Sequence, residues 1–462
     1  MRTGNRLALV IGKFIGSTSR LLKVGGGSTL PGRAARFLSS GLVTNMVKEL
    51  PLGCVLVTGT NGKTTTATLL ASILDRAGMT PVHNRTGANL MAGIASALVR
   101  ESDLGGRLAG RIGLFEVDEA AFPAAVAETS PRIVVVNNLF RDQLDRYGEL
   151  DTLATLMKDA VGTLDPESIV ALNSDDPLVA SIGRNLPHRV LYYGIDTDRY
   201  GSGSMQHAAD SKHCSECGSR LTYEYYLFGH MGHYRCTSCG ASRPESVVSA
   251  VELEMVKLEG TRCTVRYPGG ETALFIPLPG LYNVYNVLAA MSCALSLEID
   301  IETIKQGIEG FKAAFGRVEH IEAEGRHILM ILAKNPAGFN EVIRTLTRDD
   351  GRKNIVLALN DNIADGRDVS WIWDVDFEML RDRLGKVVCS GIRAADLALR
   401  VKYAELGEDS IAVEPDLEAA LDRGLQMVEP GETVYLVPTY TAMLELRRSM
   451  VKRGLVAPYW EG

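Results

Sequence analysis

Val55-Leu-Val-Thr-Gly-Thr-Asn-Gly-Lys-Thr-Thr-Thr66 joins a short apolar run to a stretch with helical spacing, and the architecture of the chain can be built from this junction. Cys54–Thr58 is apolar and ends at a glycine turn, which predicts a buried strand, while Thr64 to Leu74 carries the periodicity of a buried helix. Between them, Gly59 and Gly62 let backbone N–H groups approach phosphate oxygens at the positive end of the following helix. Lys63 adds a mobile cation for the outer phosphates, and Thr64 offers a hydroxyl to Mg²⁺. The loop is a shortened G-x-x-G-K-T. A strand-to-helix turn that contains lysine by chance is the plain alternative, and the agreement of loop, lysine, hydroxyl and flanking elements disfavours it.

Beyond the loop, apolar runs recur at 112–117, 133–136, 169–172 and 190–193, with helical segments such as 88–100 and 150–164 between them. Strands alternating with helices predict an α/β protein whose mostly parallel sheet is covered on both faces. The pattern breaks near residue 200 and resumes near Val247; residues 251–277 then alternate as antiparallel strands do, and 281–297 and 301–311 read as helices. A fresh strand–helix series begins around Ile328 and runs through 355–359, 387–389, 411–413 and 434–437. The expected organisation is a helical lead-in (1–50), a central ATP-binding domain (51–315) with an insertion at about 205–245, and a C-terminal Rossmann-like α/β domain (316–462), divided at Phe315-Gly-Arg-Val318.

At 462 residues, with 46% apolar and 23% charged residues, the chain reads as a multidomain globular protein. A net charge of −7 and a pI near 5.7 argue against a general nucleic-acid partner. The apolar run from Leu7 is broken at Lys13, too early for a signal peptide, and nothing approaches the roughly 18 apolar residues of a membrane span. Residues 1–50 therefore read as an amphipathic lead-in ending in a glycine-rich turn at 25–32, with a weak membrane-surface contact as the alternative. Cys54, Cys263, Cys293 and Cys389 are scattered among apolar residues, as buried free thiols are, which suits a reducing, cytoplasmic setting. The other four form Cys214-x2-Cys217 and Cys236-x2-Cys239, 18 residues apart, within the spacing of a four-cysteine zinc ribbon. Four thiolates leave no open position, so the predicted Zn²⁺ is structural, and His213, His230 and His233 are bystanders.

The loop Thr58-Gly-Thr-Asn-Gly-Lys-Thr-Thr-Thr66 is similar to the ATP loop of the Mur ligases and folylpolyglutamate synthases. Phe115-Glu-Val-Asp-Glu119 lies where those enzymes place a magnesium-binding glutamate, so the resemblance implies Glu116 beside Thr64 on Mg²⁺. Asp142-Gln-Leu-Asp-Arg-Tyr-Gly148 resembles their D-H-L-D-x-H-G segment. Gly280-Leu-Tyr-Asn-Val-Tyr-Asn286 resembles G-x-H-N-x-x-N, and Phe315-Gly-Arg317 resembles the motif whose arginine reaches the γ-phosphate. The implied ATP set is Gly59, Thr60, Asn61, Gly62, Lys63, Thr64, Thr65, Asn283 and Arg317, with Lys63 and Glu116 catalytic. The chain departs from the family pattern in places, including Ile331 where the usual aspartate stands. Gln143 replaces its histidine, Met157 stands where lysine carbamylation would need a lysine, and Lys334-Asn335-Pro336 replaces A-H-T-P.

Ala333-Lys-Asn-Pro-Ala-Gly-Phe-Asn-Glu-Val342 and Asn360-Asp-Asn-Ile-Ala-Asp-Gly-Arg-Asp-Val-Ser-Trp-Ile-Trp-Asp374 resemble one branch of the family, the ligase subunits of lipid II isoglutaminyl synthases, and the CxxC pairs fit it too. That resemblance implies ATP-dependent amidation of the D-isoglutamate α-carboxylate of lipid II at the inner membrane surface. Ammonia would come from a GatD-like glutaminase partner. It also implies a C-terminal aspartate that orients the partner's catalytic histidine; Asp365, Asp368 and Asp374 are candidates and Asp368 is favoured. Trp371 and Trp373 read as core or interface anchors. The alternatives are a stand-alone amino-acid ligase of the Mur or folylpolyglutamate type and a zinc-ribbon nucleic-acid-binding ATPase.

Overall fold

Alternating strand and helix periodicities build two sheets in succession along the chain. The computed structural model describes residues 3–21, 29–84, 88–141, 150–203, 209–311, 318–348 and 351–457. Helices α1 (Thr3–Leu21), α2 (Leu30–Leu38) and α3 (Leu42–Val47) lead in. Then β1 (Cys54–Thr58), α4 (Lys63–Arg76), β2 (Pro81–His83), α5 (Met91–Glu101), β3 (Ile112–Glu116), α6 (Phe122–Thr129), β4 (Ile133–Val136), α7 (Leu150–Gly162), β5 (Ile169–Asn173), α8 (Pro177–Ile182) and β6 (Arg189–Ile195) follow. A hairpin of β7 (Thr222–Phe228) and β8 (Met231–Arg235) interrupts the alternation. After it come β9 (Val248–Val256), β10 (Gly260–Tyr267), β11 (Gly270–Ile276), α9 (Leu281–Ser296) and α10 (Ile301–Glu309).

The nine-stranded sheet runs β11-β10-β9-β6-β5-β4-β1-β3-β2. From β2 to β9 neighbours are parallel, and β9, β10 and β11 are antiparallel, as the alternation at 251–277 predicts. All five residues of β1 are buried, and its period of two divides them between layers. Val55 and Val57 face the cluster that holds α4 and α9; Cys54 and Leu56 face the cluster that holds α3, α5 and α6. With β4 on one side and β3 on the other, the carboxyl end of β1 opens into a crevice where ligands of such sheets bind.

The second sheet contains β12 (Val318–Ala323), β13 (Arg326–Ile331), β14 (Lys353–Ala358), β15 (Leu384–Ser390), β16 (Ile411–Val413) and β17 (Thr433–Pro438), in the order β12-β13-β17-β14-β15-β16. Helices α11 (Pro336–Arg348), α12 (Ala394–Tyr403), α13 (Leu417–Gln426) and α14 (Tyr440–Lys452) cover it. The α/β class with a parallel central sheet and a second sheet unit therefore holds. Four strands escape the sequence reading, β7 and β8 of the insertion together with β2 and β12. β2 is only three residues long, and β12 pairs antiparallel at an edge with half of its residues buried, so neither produces a continuous apolar run. The glycine-rich turn also differs from expectation, because Leu30, Pro31 and Gly32 already belong to α2, with Pro31 in the first helical turn where its missing N–H costs nothing. The expected divide at Phe315-Gly-Arg317 lies outside the described residues, as does the segment Asp142–Gly148 with Gln143.

Candidate active site and metal centre

The turn after β1 has the shape a phosphate loop needs. Gly59 and Gly62 adopt φ of 126° and 84°, a region that L side chains rarely enter. A Cβ on Gly62 would come within 2.0 Å of Asn286 Oδ1, and one on Gly59 within 2.9 Å of the Asn138 backbone. Gly62→Ala is accordingly expected to cost about 1–2 kcal/mol in backbone strain alone. A drop in melting temperature together with weakened ATP binding would check this, and an unchanged melting curve would contradict it.

Lys63, buried at 7% exposure, curls back over the turn: Nζ donates to Gly59 O at 2.5 Å, to Thr60 O at 3.3 Å and to Glu119 Oε2 at 2.9 Å. Thr64 Oγ1 donates to Glu116 Oε1 at 3.0 Å, so the end of β3 and the start of α4 bring together the hydroxyl and carboxylate expected to share a magnesium ion. Asn84 fixes Glu116 by accepting from its backbone N–H and donating to its carbonyl. Thr60 Oγ1 both donates to Phe140 O and accepts from Phe140 N–H, which ties the loop to the segment that follows β4.

A cleft open to solvent runs from this loop between the two sheets. Asn61, Gly62, Thr65, Asn283, Tyr282 and Phe228 are among its walls. Asn61 Nδ2 is buried without a hydrogen-bond partner among the described residues, a donor that a phosphate oxygen would satisfy. Asn283 and Asn286 lie one turn apart on α9, joined by Asn286 Nδ2 donating to Asn283 Oδ1 at 3.1 Å. From the second sheet unit, Asn335 Nδ2 donates to Asn61 Oδ1 at 3.0 Å, linking the two units directly at the phosphate loop. The structure thus assembles Gly59, Thr60, Asn61, Gly62, Lys63, Thr64, Thr65, Glu116 and Asn283, while Arg317 lies outside the described residues. Sequence reasoning assigns no role to Glu119, Asn335 or Phe228. Glu119 is findable as an acid in the loop after β3. Nothing local points to Phe228.

The three candidate aspartates occupy different environments. Asp365 is buried and accepts from both the backbone and the hydroxyl of Thr441 at the start of α14, and its burial raises the carboxyl above the usual range. Asp374 lies 3.4 Å from Arg141 Nη2. Asp368 is exposed, and hydrogen bonds from Ser370 lower its carboxyl, so it stays ionised. Trp371 packs on Phe339 in the core, whereas Trp373 is half exposed beside Tyr403. Cys54 and Cys389 are buried thiols pushed up to about 12 by desolvation, which makes them poor nucleophiles.

Cys214, Cys217, Cys236 and Cys239 converge, with all four Sγ atoms within 4.8 Å of one another. Sγ of Cys214 lies 3.6 Å from that of Cys239, and Cys217 3.5 Å from Cys236. A tetrahedron with metal–sulfur bonds of about 2.3 Å has edges of about 3.8 Å, so the donor set fits one tetrahedral ion. The two knuckles share one construction: Gly218 N–H donates to Cys214 O and Gly240 N–H to Cys236 O, both glycines at positive φ. The hairpin β7–β8 runs from the cysteines to the cleft beside the glycine turn. Its tip places Phe228 in the cleft wall, Leu227 O accepts from Arg344 on α11, and the buried His230 ring packs tilted against Phe140, 4.4 Å between centroids, with Nε2 3.4 Å from the Asp176 carboxylate.

Fold and loop together define a Mur-type ligase, of a family that works with ATP and magnesium; the Mur ligase middle domain matches residues 57–234. Among solved structures, a pseudomurein peptide ligase type C from Methanothermus fervidus is similar with TM-score 0.66 at 23% identity, covering 87% of this chain and 78% of that one. Folylpolyglutamate synthase of Mycobacterium tuberculosis is similar with TM-score 0.62 at 14% identity, covering 96% and 98%; at these identities the likeness shows the fold alone. The MurT ligase C-terminal domain matches residues 332–443. The chain is 33% identical over 456 residues to the lipid II isoglutaminyl synthase (glutamine-hydrolyzing) subunit MurT of Streptococcus pneumoniae (strain ATCC BAA-255 / R6), covering 97% of this chain and 98% of that one. It is 32% identical over 420 residues to the subunit of the same name from Staphylococcus aureus (strain COL), covering 90% and 91%. The chain belongs to the MurT family of the Mur ligases.

Proposed function

We propose that this chain is the ligase subunit that amidates the D-isoglutamate α-carboxylate of lipid II, using ATP and ammonia delivered by a GatD-like glutaminase subunit. The observation that carries the chemistry is the buried Lys63 curled over a glycine turn, with Thr64 and Glu116 3.0 Å apart beside it. The word subunit in the relatives' names supports a partner chain.

A carboxylate is a poor electrophile, and phosphorylation gives it a leaving group. A carboxylate oxygen attacks the γ-phosphorus, the bond to the bridging oxygen breaks, and ADP departs with that electron pair. Ammonia then attacks the carbonyl carbon of the acyl phosphate, phosphate leaves with the C–O electrons, and the nitrogen loses a proton to give the amide. Lys63 holds charge on the transferring group, Arg317 is assigned to the γ-phosphate, Asn283 to the adenine end, and the loop N–H groups to the phosphates. Magnesium, when bound at Thr64 and Glu116, neutralises phosphate charge. The chain needs no nucleophilic side chain of its own.

Hydroxylamine supplied in place of ammonia should trap the acyl phosphate as a hydroxamate of lipid II, with one ADP released per hydroxamate. ATP hydrolysis without a trapped acyl group would sink the mechanism. Co-purification with a glutaminase, followed by glutamine-driven amidation, tests the partner. We assign the ion held by the four cysteines as structural zinc. Its removal by a chelator should loosen the hairpin and weaken ATP binding about tenfold through loss of the Phe228 wall. Calorimetry on metal-loaded and stripped protein measures this, and unchanged ATP affinity would separate the ribbon from the cleft. The substrate places the enzyme at the inner face of the membrane. Among the described residues no helix is long and apolar enough to cross one.

A further inference from the structure

Residues 1–48 contain eight Lys or Arg and not one Asp or Glu, in a chain whose net charge is −7. The acidic excess therefore lies wholly beyond this segment. The same segment exposes apolar side chains that a water-facing helix would lack. On α1, Leu7, Val10 and Phe14 are spaced by three and four residues on one stripe, at 60%, 45% and 69% exposure. On α2, Phe37 is 91% exposed and Leu38 45%. Ser39 Oγ donates to Asn5 Oδ1, which brings the Phe37–Leu38 end of α2 to the end of α1 that carries Leu7. Arg6 and Arg33 are exposed on the same two helices, and Lys13 is half buried. The nearest acid partner, Glu128, pairs with Arg36 from outside the segment.

The two helices are held firmly by the protein. Gly12 sits against Pro31, Ala35 and Val99, close enough that a Cβ would lie 3.1–3.2 Å from them. Gly32 N–H donates to Ser96 Oγ at 2.8 Å, and a Cβ there would come within 2.0 Å of Ala92 O. Both contacts pin α1 and α2 to α5. The segment leading into α5 is in turn tied to the transfer site, because Asn84 donates to Ala88 O and to Glu116 O. A surface bound to α1 and α2 is therefore tied, through α5, to the carboxylate that faces the phosphates.

We propose that α1 and α2 form a docking face for the anionic surface of a lipid bilayer. Leu7, Val10, Phe14, Phe37 and Leu38 enter the boundary between headgroups and acyl chains, and Arg6 and Arg33 meet lipid phosphates. An amphipathic segment with apolar anchors, cations and no acid of its own is the kind that lies in a bilayer interface, and long cationic side chains reach headgroups while their stems stay in the apolar layer. The inference rests on the reading of the acid substrate as lipid-linked, since docking would hold the transfer site over a substrate confined to that surface.

The test is sedimentation of the full chain, alone and with its glutaminase partner, with phosphatidylcholine vesicles with and without phosphatidylglycerol. Binding is expected only with the anionic lipid and should fall as salt rises. Arg6→Gln and Arg33→Gln should each lower partitioning about fivefold, and Phe14→Glu with Phe37→Glu about tenfold or more. These side chains are exposed, so melting temperature and amidation of a water-soluble substrate fragment should stay unchanged. Equal binding to neutral vesicles, no binding at all, or loss of binding when the glutaminase is present would overturn the proposal. So would self-association of the chain that Phe37→Glu abolishes, since a second copy would then own the face. Amidation of the soluble fragment without vesicle binding removes the docking face and leaves the enzymatic reading standing. Vesicle binding without any amidation does the reverse.

Discussion

Replacing Lys63 with methionine is expected to lower lipid II amidation about a thousandfold, with free ammonia as much as with glutamine. The lysine is the cation that the loop folds around, and the transferring phosphoryl group has no equal substitute there. The same replacement also strands Glu119, which is 4% exposed and 2.9 Å from the ammonium group, and removing one partner of a buried pair costs about 3–5 kcal/mol. Loss of activity alone would thus be ambiguous. The double variant Lys63→Met/Glu119→Gln separates the effects, since it should regain most of the melting temperature without regaining turnover. Recovery of both together would show that Lys63 only holds the loop in shape. Steady-state rates with ammonia and thermal unfolding of the three proteins measure all of this.

Asp368→Asn is expected to cut glutamine-driven amidation by up to about ten-thousandfold while leaving the ammonia-driven reaction within about twofold. Both figures follow from the loss of an acid that fixes a histidine tautomer. The three carboxylates differ in how available they are to a partner. Asp365 is occupied by Thr441 and buried, and Asp374 faces Arg141; Asp368 points an ionised carboxylate to solvent where a partner could meet it. Asp365→Asn should instead weaken the start of α14 by about 1 kcal/mol and trim both reactions alike. Equal failure of the Asp368 variant with ammonia would assign it to the ligase site or to folding, and a full glutamine-driven rate would remove it from the partner interface.

The phosphate loop, the parallel sheet and the four cysteines are legible because each is written in neighbouring residues. A strand, a glycine turn and a helix follow one another in sequence, and a C-x-x-C knuckle closes within a few residues. Asp368 is less well specified, because its loop motif offers three candidate aspartates, Asp365, Asp368 and Asp374. Only burial and hydrogen bonding separate them. β2, β12 and the hairpin strands β7 and β8 escape notice because a short, edge or half-exposed strand needs no continuous apolar run.

Amino-acid order alone suffices for the glycine turn from Gly59 to Gly62, the alternation of strands and helices around it, and the pairing of the four cysteines into one cluster. Packing in three dimensions was needed to show that Glu119 holds Lys63 from 56 residues away, and that Asn335 reaches Asn61 across 274 residues. It was needed again to bring Phe228, at the tip of the hairpin, into the wall of the cleft beside the glycine turn. Local patterns report what a segment can form, because propensity and turn chemistry act over a few residues. Which distant side chains share a site is set by how sheets and helices pack, and no periodicity in one segment encodes the position of another.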